Sequence, residues 1–286
     1  MRTVPYDISR DALFRPHLAH GFFPVKAKLS DDLLCAECAL LVYKKFESDP
    51  AEKEEARKAL QSVGFEDVES FNESGSQAFA AWSARSRTAV VAFRGTEQED
   101  PTDLGTDVNT IPVDWKQGGK VHAGFKEYWE NLAQGTNMLQ WIEKHPGRLL
   151  LTGHSLGAAL STLGASHLRP AKLVTIGSPR IGNAAFAETL AGIEISRYVD
   201  CCDIVTHIPP PVFGFVHVKP EKPLYIDRLG EIKTGATEDF IRGDGLKARA
   251  EYLLHDAWRR GSVAIRDLAD HTPINYVHAL RHQAAA

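Results

Sequence analysis

The chain has 286 residues, 43% of them hydrophobic, enough to bury a sizeable core without disulfides, metals or a partner, which excludes disordered and fibrous classes. Thirty-three Lys and Arg against 37 Asp and Glu leave a formal charge of -4, and no long basic run exists to track a phosphate backbone, so nucleic acid is not an expected partner. The longest apolar stretches, such as Ala39 to Val42 and Leu149 to Leu151, fall far short of the ~20 residues of a helical bilayer span, so no transmembrane segment is expected and the chain reads as soluble.

The N-terminus, Met1 to Asp7, places Pro5 and Asp7 where a signal peptide would have its apolar core. No secretory leader is visible, leaving a cytoplasmic chain, one exported by another route, or one whose leader has been removed. Leu33, Leu34, Cys38, Leu40 and Leu41 then form a helical stripe. Within it Cys35 and Cys38 have the C-x-x-C spacing, but no second ligand pair follows at zinc-finger distance, so they read as core-facing residues. Asp49-Pro50 supplies a helix cap with Pro at the first position, and Glu52 completes a capping box for a helix ending near Val63-Gly64. From Val68 to Phe93 the pattern turns strand-like, in the runs Val68 to Phe71, Ala78 to Trp82 and Thr88 to Phe93. The first two, separated by Asn72-Glu73-Ser74-Gly75, predict a hairpin.

Leu104, Val108, Ile111 and Trp115 recur at helical spacing after an Asp100-Pro101 start, and predict a short amphipathic helix that Pro112 interrupts. An ordinary surface helix is the alternative. Phe125, Tyr128, Trp129, Leu132, Leu139 and Ile142 mark one long amphipathic helix closed by His145-Pro146-Gly147. Strands follow at Arg148 to Thr152, Lys172 to Gly177 and Ser196 to Val199, with a helix after the first. That alternation predicts an α/β fold with a mostly parallel sheet covered by helices. Composition is uniform and repeats are absent, so 1-286 is expected to be a single domain. Four cysteines make no disulfide scaffold, and the adjacent pair Cys201-Cys202 would strain a bridge, so all are expected reduced.

The strongest chemical signal is Gly153-His154-Ser155-Leu156-Gly157, set between the apolar run Leu149 to Leu151 and the helix-forming Ala158-Ala159-Leu160. This is the strand, turn and helix context of a nucleophile elbow. A Cβ at either flanking position would collide with its neighbours, so both are Gly, and Ser155 is exposed for attack beside a helix N-terminus that favours negative charge. A serine hydroxyl needs an imidazole within hydrogen-bond reach and an acid behind it. Asp203 and Asp200 both lie at the end of the strand Ser196 to Val199, while Asp227, Asp244 and Asp256 read as surface charge. Twelve histidines leave the base open between His271, in a loop before Ile274-Asn275-Tyr276, and His217, in an alternating strand pattern. No H-E-x-x-H or other clustered ligand set appears, so neither metal nor cofactor is expected.

Several segments together resemble the class 3 lipases, the family of filamentous-fungal triacylglycerol lipases and their bacterial relatives. They are Phe93-Arg94-Gly95-Thr96, Val121-His122-Ala123-Gly124-Phe125, the elbow, Gly177-Ser178-Pro179-Arg180-Ile181-Gly182-Asn183, and Asp203-Ile204-Val205 with Ile208-Pro209-Pro210. The resemblance runs from about Leu33 to His271 and implies an α/β hydrolase fold with helices on both faces of the sheet and a short helical lid at 97-115. It further implies Asp203 as the acid, His271 as the base, and an oxyanion hole from the amides of Thr96 and Leu156. Leu104, Val108, Ile111 and Trp115 would be the lid's apolar, substrate-facing residues. Its acidic residues, from Glu97 to Asp114 with no Lys or Arg before Lys116, count against anionic phospholipid as substrate. The implied activity is carboxylic ester hydrolysis through an acyl-enzyme, most directly on triacylglycerols at a lipid-water interface. Phospholipase A1, a soluble-substrate esterase and a catalytically silent lipase-like binding protein are the alternatives; a silent relative should carry a broken triad, and this one is intact.

Overall fold

Helix caps of short polar side chains organise the first part of the chain. Ser9 accepts from the Ala12 amide to start α1 (Arg10–Phe14), and Ser30 accepts from Leu33 to start α2 (Asp31–Leu41), each satisfying an amide that a first turn leaves without a partner. The computed structural model describes residues 4-24, 29-95, 111-218 and 223-285. α3 (Pro50–Ser62) starts where the sequence places it, with Asp49 accepting from Ala51 and Glu52. The return bond of the capping box is absent. The Asp49 amide is already donated to the Lys45 carbonyl, and the Glu52 carboxylate takes the Lys45 amide instead.

β1 (Asp67–Glu73) and β2 (Ser76–Ser83) pair antiparallel through a turn with positive φ at Ser74 and Gly75, the backbone sense that matches strand twist. β3 (Thr88–Phe93) pairs antiparallel with β2. After residues 96-110, β4 (Pro112–Asp114) and β5 (Lys120–His122) form a small separate hairpin. The long helix expected from Phe125 to Ile142 is two helices, α4 (Ala123–Gly135) and α5 (Met138–Lys144). The break has a local cause: Thr136 Oγ1 donates to the Leu132 carbonyl and accepts from the Met138 amide, diverting bonds that a continuous helix would need.

The rest of the chain alternates. β6 (Arg148–His154) leads into α6 (Leu156–Leu168), then β7 (Lys172–Ile176), α7 (Ala184–Glu188) and β8 (Glu194–Asp200). β9 (Leu224–Ile226), β10 (Ile232–Thr234), α8 (Glu238–His255), α9 (Arg266–Ala269) and α10 (Pro273–Ala285) follow. Among the described residues the sheet has eight strands in the order β1-β2-β3-β6-β7-β8-β9-β10, parallel from β3 through β9 with antiparallel strands at both edges.

Side chains alternate across a strand, so successive residues of β3 and β6 feed two separate cores. Val90, Ala92 and Leu150 pack with α2, α3 and α10 on one face, while Val91, Phe93 and Leu151 pack with α4 and α6 on the other. Both faces of the parallel strands are therefore covered, which is why β3 is buried at every position. The arrangement brings the C-terminal ends of β6, β7 and β8 side by side, where Ser155, Gly177 and Asp203 emerge.

Candidate active site

Ser155 sits in a backbone conformation that its sequence neighbours enforce. Its φ is 58° and ψ -126°, a strained region for a residue with a Cβ. A Cβ on Gly153 would lie 2.3 Å from the Gly157 carbonyl, and one on Gly157 would lie 2.0 Å from the Phe93 carbonyl. Glycine at 153 lets β6 and α6 cross this closely, and glycine at 157 lets α6 lie against the end of β3. α6 starts at Leu156, so its first amides and the positive end of its dipole face the serine.

The loop between α9 and α10 supplies the imidazole. His271 Nε2 lies 2.9 Å from Ser155 Oγ, and its Nδ1 lies 2.9 and 3.0 Å from the two carboxylate oxygens of Asp203. Nδ1 donates to the carboxylate, so Nε2 is left as the acceptor for the serine proton. The three side chains come from points 116 and 68 residues apart in the chain, and all are buried, with Asp203 fully so. Asp203 also accepts from the Val205 amide at 2.9 Å and from the Tyr276 hydroxyl at 2.5 Å. Both oxygens are thereby held while the imidazole stays in line. This is the geometry of an activated nucleophile, its base and the group that orients the base.

Residues 90-213 match the sequence profile of the family described as Lipase (class 3). A lipase of Rhizopus niveus is 34% identical over 151 residues, 47% of this chain and 38% of that protein. Secreted mono- and diacylglycerol lipase 1 of Fusarium solani is 34% identical over 157 residues, 51% of this chain and 47% of that protein. Residues 90-213 of the chain are thus similar to the class 3 lipases. The match spans less than half the length of each of these two lipases. The crystal structure of the lipase from Rhizopus microsporus var. chinensis superposes with a TM-score of 0.58 over 86% of this chain and 95% of that one, at 23% identity, which shows the shared α/β hydrolase fold. His271 falls outside the profile-matched segment, so its place beside Ser155 rests on the geometry.

Three supports of this site went unread in the sequence. His154, the motif's variable residue, is buried with its ring centroid 4.4 Å from that of His271. Its Nε2 donates to the His271 carbonyl at 2.8 Å, so its Nδ1 accepts from the Tyr43 hydroxyl, also at 2.8 Å. Burial, then the neighbouring His271, push the His154 imidazole well below the usual histidine range, so a neutral ring ties the elbow to the base loop. Tyr276 is the second support. It donates to Asp203 and accepts from the Asp200 amide, and burial followed by the charges of Asp203 and Asp200 push its hydroxyl well up, so it stays a donor. The third is Gly177, with φ +60°, where a Cβ would lie 2.9 Å from Asp203 Oδ2 and 3.2 Å from the His271 ring. A family-type Gly-Ser-Pro-Arg segment was the available signal for Gly177; nothing local to His154 or Tyr43 announced a contact over 111 residues.

The other expected positions divide. Leu156 stands at the start of α6 beside Ser155, whereas Thr96, Leu104 and Val108 lie outside the described residues. Ile111 and Trp115 depart from the expected helical stripe. Pro112–Asp114 is a strand, Trp115 is 7% exposed, and its indole donates to Ser166 at 3.1 Å while packing edge-on to Phe186. Trp115 is therefore core, and Ile111, 59% exposed, precedes a hairpin: Pro112 suits an edge strand and cannot continue a helix. His217 lies away from Ser155, with its Nε2 donating to the Thr206 carbonyl. Asp227 and Asp244 are buried, not surface charge. Asp227 accepts the Leu229 and Glu231 amides, and Asp244 takes the Tyr225 hydroxyl and the Arg228 amide.

All four cysteines are free and buried. The sulfurs of Cys201 and Cys202 and a carboxylate oxygen of Asp270 lie within 4.8 Å of one another, a cluster that sequence spacing did not show. Asp270 is already engaged by Arg266, the Tyr6 hydroxyl and the Cys202 amide, so its chemistry is that of a brace for the loop bearing His271. Among the described residues no helix is long and apolar enough to cross a membrane.

Proposed function

We propose that the chain is a class 3 lipase, a carboxylic ester hydrolase acting on acylglycerols, triacylglycerols foremost, through an acyl-enzyme on Ser155. The observation that carries the reading is the series Ser155 Oγ, His271 and Asp203, with 2.9 Å between hydroxyl and imidazole and 2.9 Å between imidazole and carboxylate. His271 takes the Ser155 proton as the hydroxyl attacks the ester carbonyl. The imidazolium then protonates the leaving glyceride oxygen, and the neutral ring activates water against the acyl-enzyme. Asp203 keeps Nδ1 protonated and stabilises the cation that forms between these steps. The Leu156 amide, with the Thr96 amide in this proposal, receives the oxyanion. Gly95 supports that role for its neighbour: a Cβ there would meet the His154 carbonyl at 2.8 Å, so the strand end must pass close to the elbow.

The printed names of the relatives, a lipase and a mono- and diacylglycerol lipase, support acylglycerol as the substrate class. Of the lid expected at 97-115, Pro112–Asp114 and Trp115 are parts of the fold, and Leu104 and Val108 remain the residues this proposal assigns to it. The test combines Ser155→Ala with initial rates on p-nitrophenyl esters from acetyl to palmitoyl, a triacylglycerol emulsion and a phospholipid. Turnover should fall to the roughly 10³- to 10⁴-fold enhancement over water that an oxyanion hole and binding alone sustain. Near-parental activity in that variant, or labelling of another residue by a serine-directed phosphonate, overturns the assignment. A phospholipid rate above the triacylglycerol rate overturns the substrate class alone.

A further inference from the structure

Two hydrogen bonds run side by side between the acid loop and the base loop. Asp203 and His271 make one, with 2.9 Å between carboxylate and Nδ1. Their chain neighbours make the other: the Cys202 amide donates to Asp270 Oδ2, also at 2.9 Å. Adjacent rungs fix both the separation and the twist of the two loops, where a single bond would leave the side chains free to pivot.

Asp270 is fully buried, and a buried carboxylate holds its place only when its charge and both oxygens are met. Arg266 Nε lies 2.8 and 2.9 Å from the two oxygens. The Tyr6 hydroxyl, from 264 residues away in the chain, donates to Oδ1 at 2.6 Å. Its ring centroid lies 4.7 Å from Arg266 Cζ, covering the ion pair with a cation-π contact. Burial, then the Asp270 charge, push the Tyr6 hydroxyl well up, so it remains a donor. Asp7 completes the clasp. Its amide donates to Asn275 Oδ1 at 2.8 Å, and Asn275 Nδ2 donates to the Asp7 and Ala269 carbonyls at 2.9 and 3.1 Å. Residues 6 and 7 therefore span the loop 269-275 that carries His271, and the Ile8 carbonyl extends the strap by accepting the Val263 amide at 2.8 Å.

We propose that Tyr6 and Asp270 are positioning residues of the triad, holding Asp203 and the His271 imidazole in line with Ser155 through the Cys202 amide and the Asp270 backbone. His271 Nε2 must stay within the 2.9 Å reach of Ser155 Oγ, and a misplacement of about 1 Å can lower a rate roughly a hundredfold. Both residues lie outside the profile-matched segment 90-213, so the assignment comes from the geometry alone. A plain structural brace is the alternative, and its loss would lower stability with catalysis unmoved. The kinetic consequence rests on the ester-hydrolase reading.

Tyr6→Phe keeps the ring over Arg266 and removes the hydroxyl. On p-nitrophenyl acetate its kcat should fall about threefold to tenfold with KM unchanged. Asp270→Asn with Arg266→Met removes the buried ion pair as a unit, which need not unfold the chain, and leaves one oxygen where Tyr6 and Cys202 require two. Its kcat should fall about thirtyfold or more. Leu60→Ala, on the buried side of α3, is the control for lost stability, with a lower melting temperature and parental kcat. The Nδ1 proton that His271 shares with Asp203 should give a far-downfield proton resonance, which Tyr6→Phe should shift or broaden and Leu60→Ala should leave in place. Parental kcat or an unmoved resonance in Tyr6→Phe overturns the proposal, as does an equal loss of kcat in Leu60→Ala. Should the double variant fail to fold, Tyr6→Phe alone decides. Absence of acetyl ester hydrolysis in the parent refutes the hydrolase reading, and the resonance, which needs no turnover, still tests the positioning.

Discussion

Tyr276→Phe removes one oxygen from the site and nothing else. Tyr276 is fully buried in the core formed with α2, so the substitution leaves no cavity of consequence, and its effects come from two hydrogen bonds. The 2.5 Å bond to Asp203 Oδ2 is charge-assisted, and the Asp200 amide loses its acceptor at 3.0 Å. Hydrogen bonds to charged groups contribute roughly 1.5 to 3 kcal/mol, and an orphaned buried donor costs roughly 1 to 3 kcal/mol more. The fold should therefore lose a few kcal/mol, read as a lower melting temperature or a lower denaturant midpoint. Asp203 keeps the Val205 amide and His271, so it stays roughly placed. A loss of orientation equivalent to about 1.4 kcal/mol lowers kcat about tenfold, against about 10⁴-fold for removing the charge in Asp203→Asn. KM on p-nitrophenyl acetate should hardly move. Parental kcat, with only stability lost, would refute the reasoning and leave Tyr276 a structural residue.

Other consequences are testable with equal directness. His217 is buried and pushed down to about 3, chiefly by loss of hydration and then by Arg197 and Arg180, and it stays neutral in the folded chain. Unfolding releases it to protonate near pH 6.5, so below that pH its contribution to stability falls by roughly 1.4 kcal/mol per pH unit until about pH 3; His217→Gln should flatten this part of the stability profile while remaining active, and an inactive, folded variant would make His217 the base. His271→Ala should abolish turnover as completely as Ser155→Ala, since the members of a triad act as a unit. For the cysteines, hydrogen bonding with Cys202 and burial push the Cys201 thiol far up, so reductant should leave activity unchanged and intact mass should show free thiols; a Cys201-Cys202 disulfide in active protein refutes this. Leu104→Ser with Val108→Ser should flatten the rise in activity above the solubility limit of a triacylglycerol and spare a soluble acetyl ester, because a closed lid would lose its apolar seal; an unchanged rise would remove the lid from the proposal.

How far the site could be read in the sequence depended on whether its geometry is local. The elbow was legible because its tightest constraint acts within five consecutive residues: a Cβ at 153 would meet the Gly157 carbonyl, so glycine there lets β6 and α6 cross, while Gly157, kept bare by the Phe93 carbonyl of β3, is visible in the same string. The hairpin of β1 and β2 and the cap of α3 were legible for the same reason. Trp115 and the Thr136 break failed in the opposite direction, since helical spacing was present but Pro112 with an edge strand, and a threonine that bonds back to Leu132, outweighed it. The triad lies between these cases. No spacing rule couples residues 116 apart, so the choice of His271 over His217 needed a family resemblance, and the structure supplies its physical reason in topology. Parallel strands end at one edge of the sheet, which puts the loops after β6, β7 and β8 side by side, and α10 returns along α2 to bring Tyr276 and His271 back over that edge. His154 closes the arrangement. It occupies the last residue of β6, yet its two ring nitrogens reach Tyr43, two residues beyond α2, and the His271 carbonyl, just before α10. One neutral imidazole thus fixes the nucleophile's strand to both helices that flank it. The position reads as freely variable in the motif because what constrains it is the packing of two distant helices, which a pentapeptide does not contain.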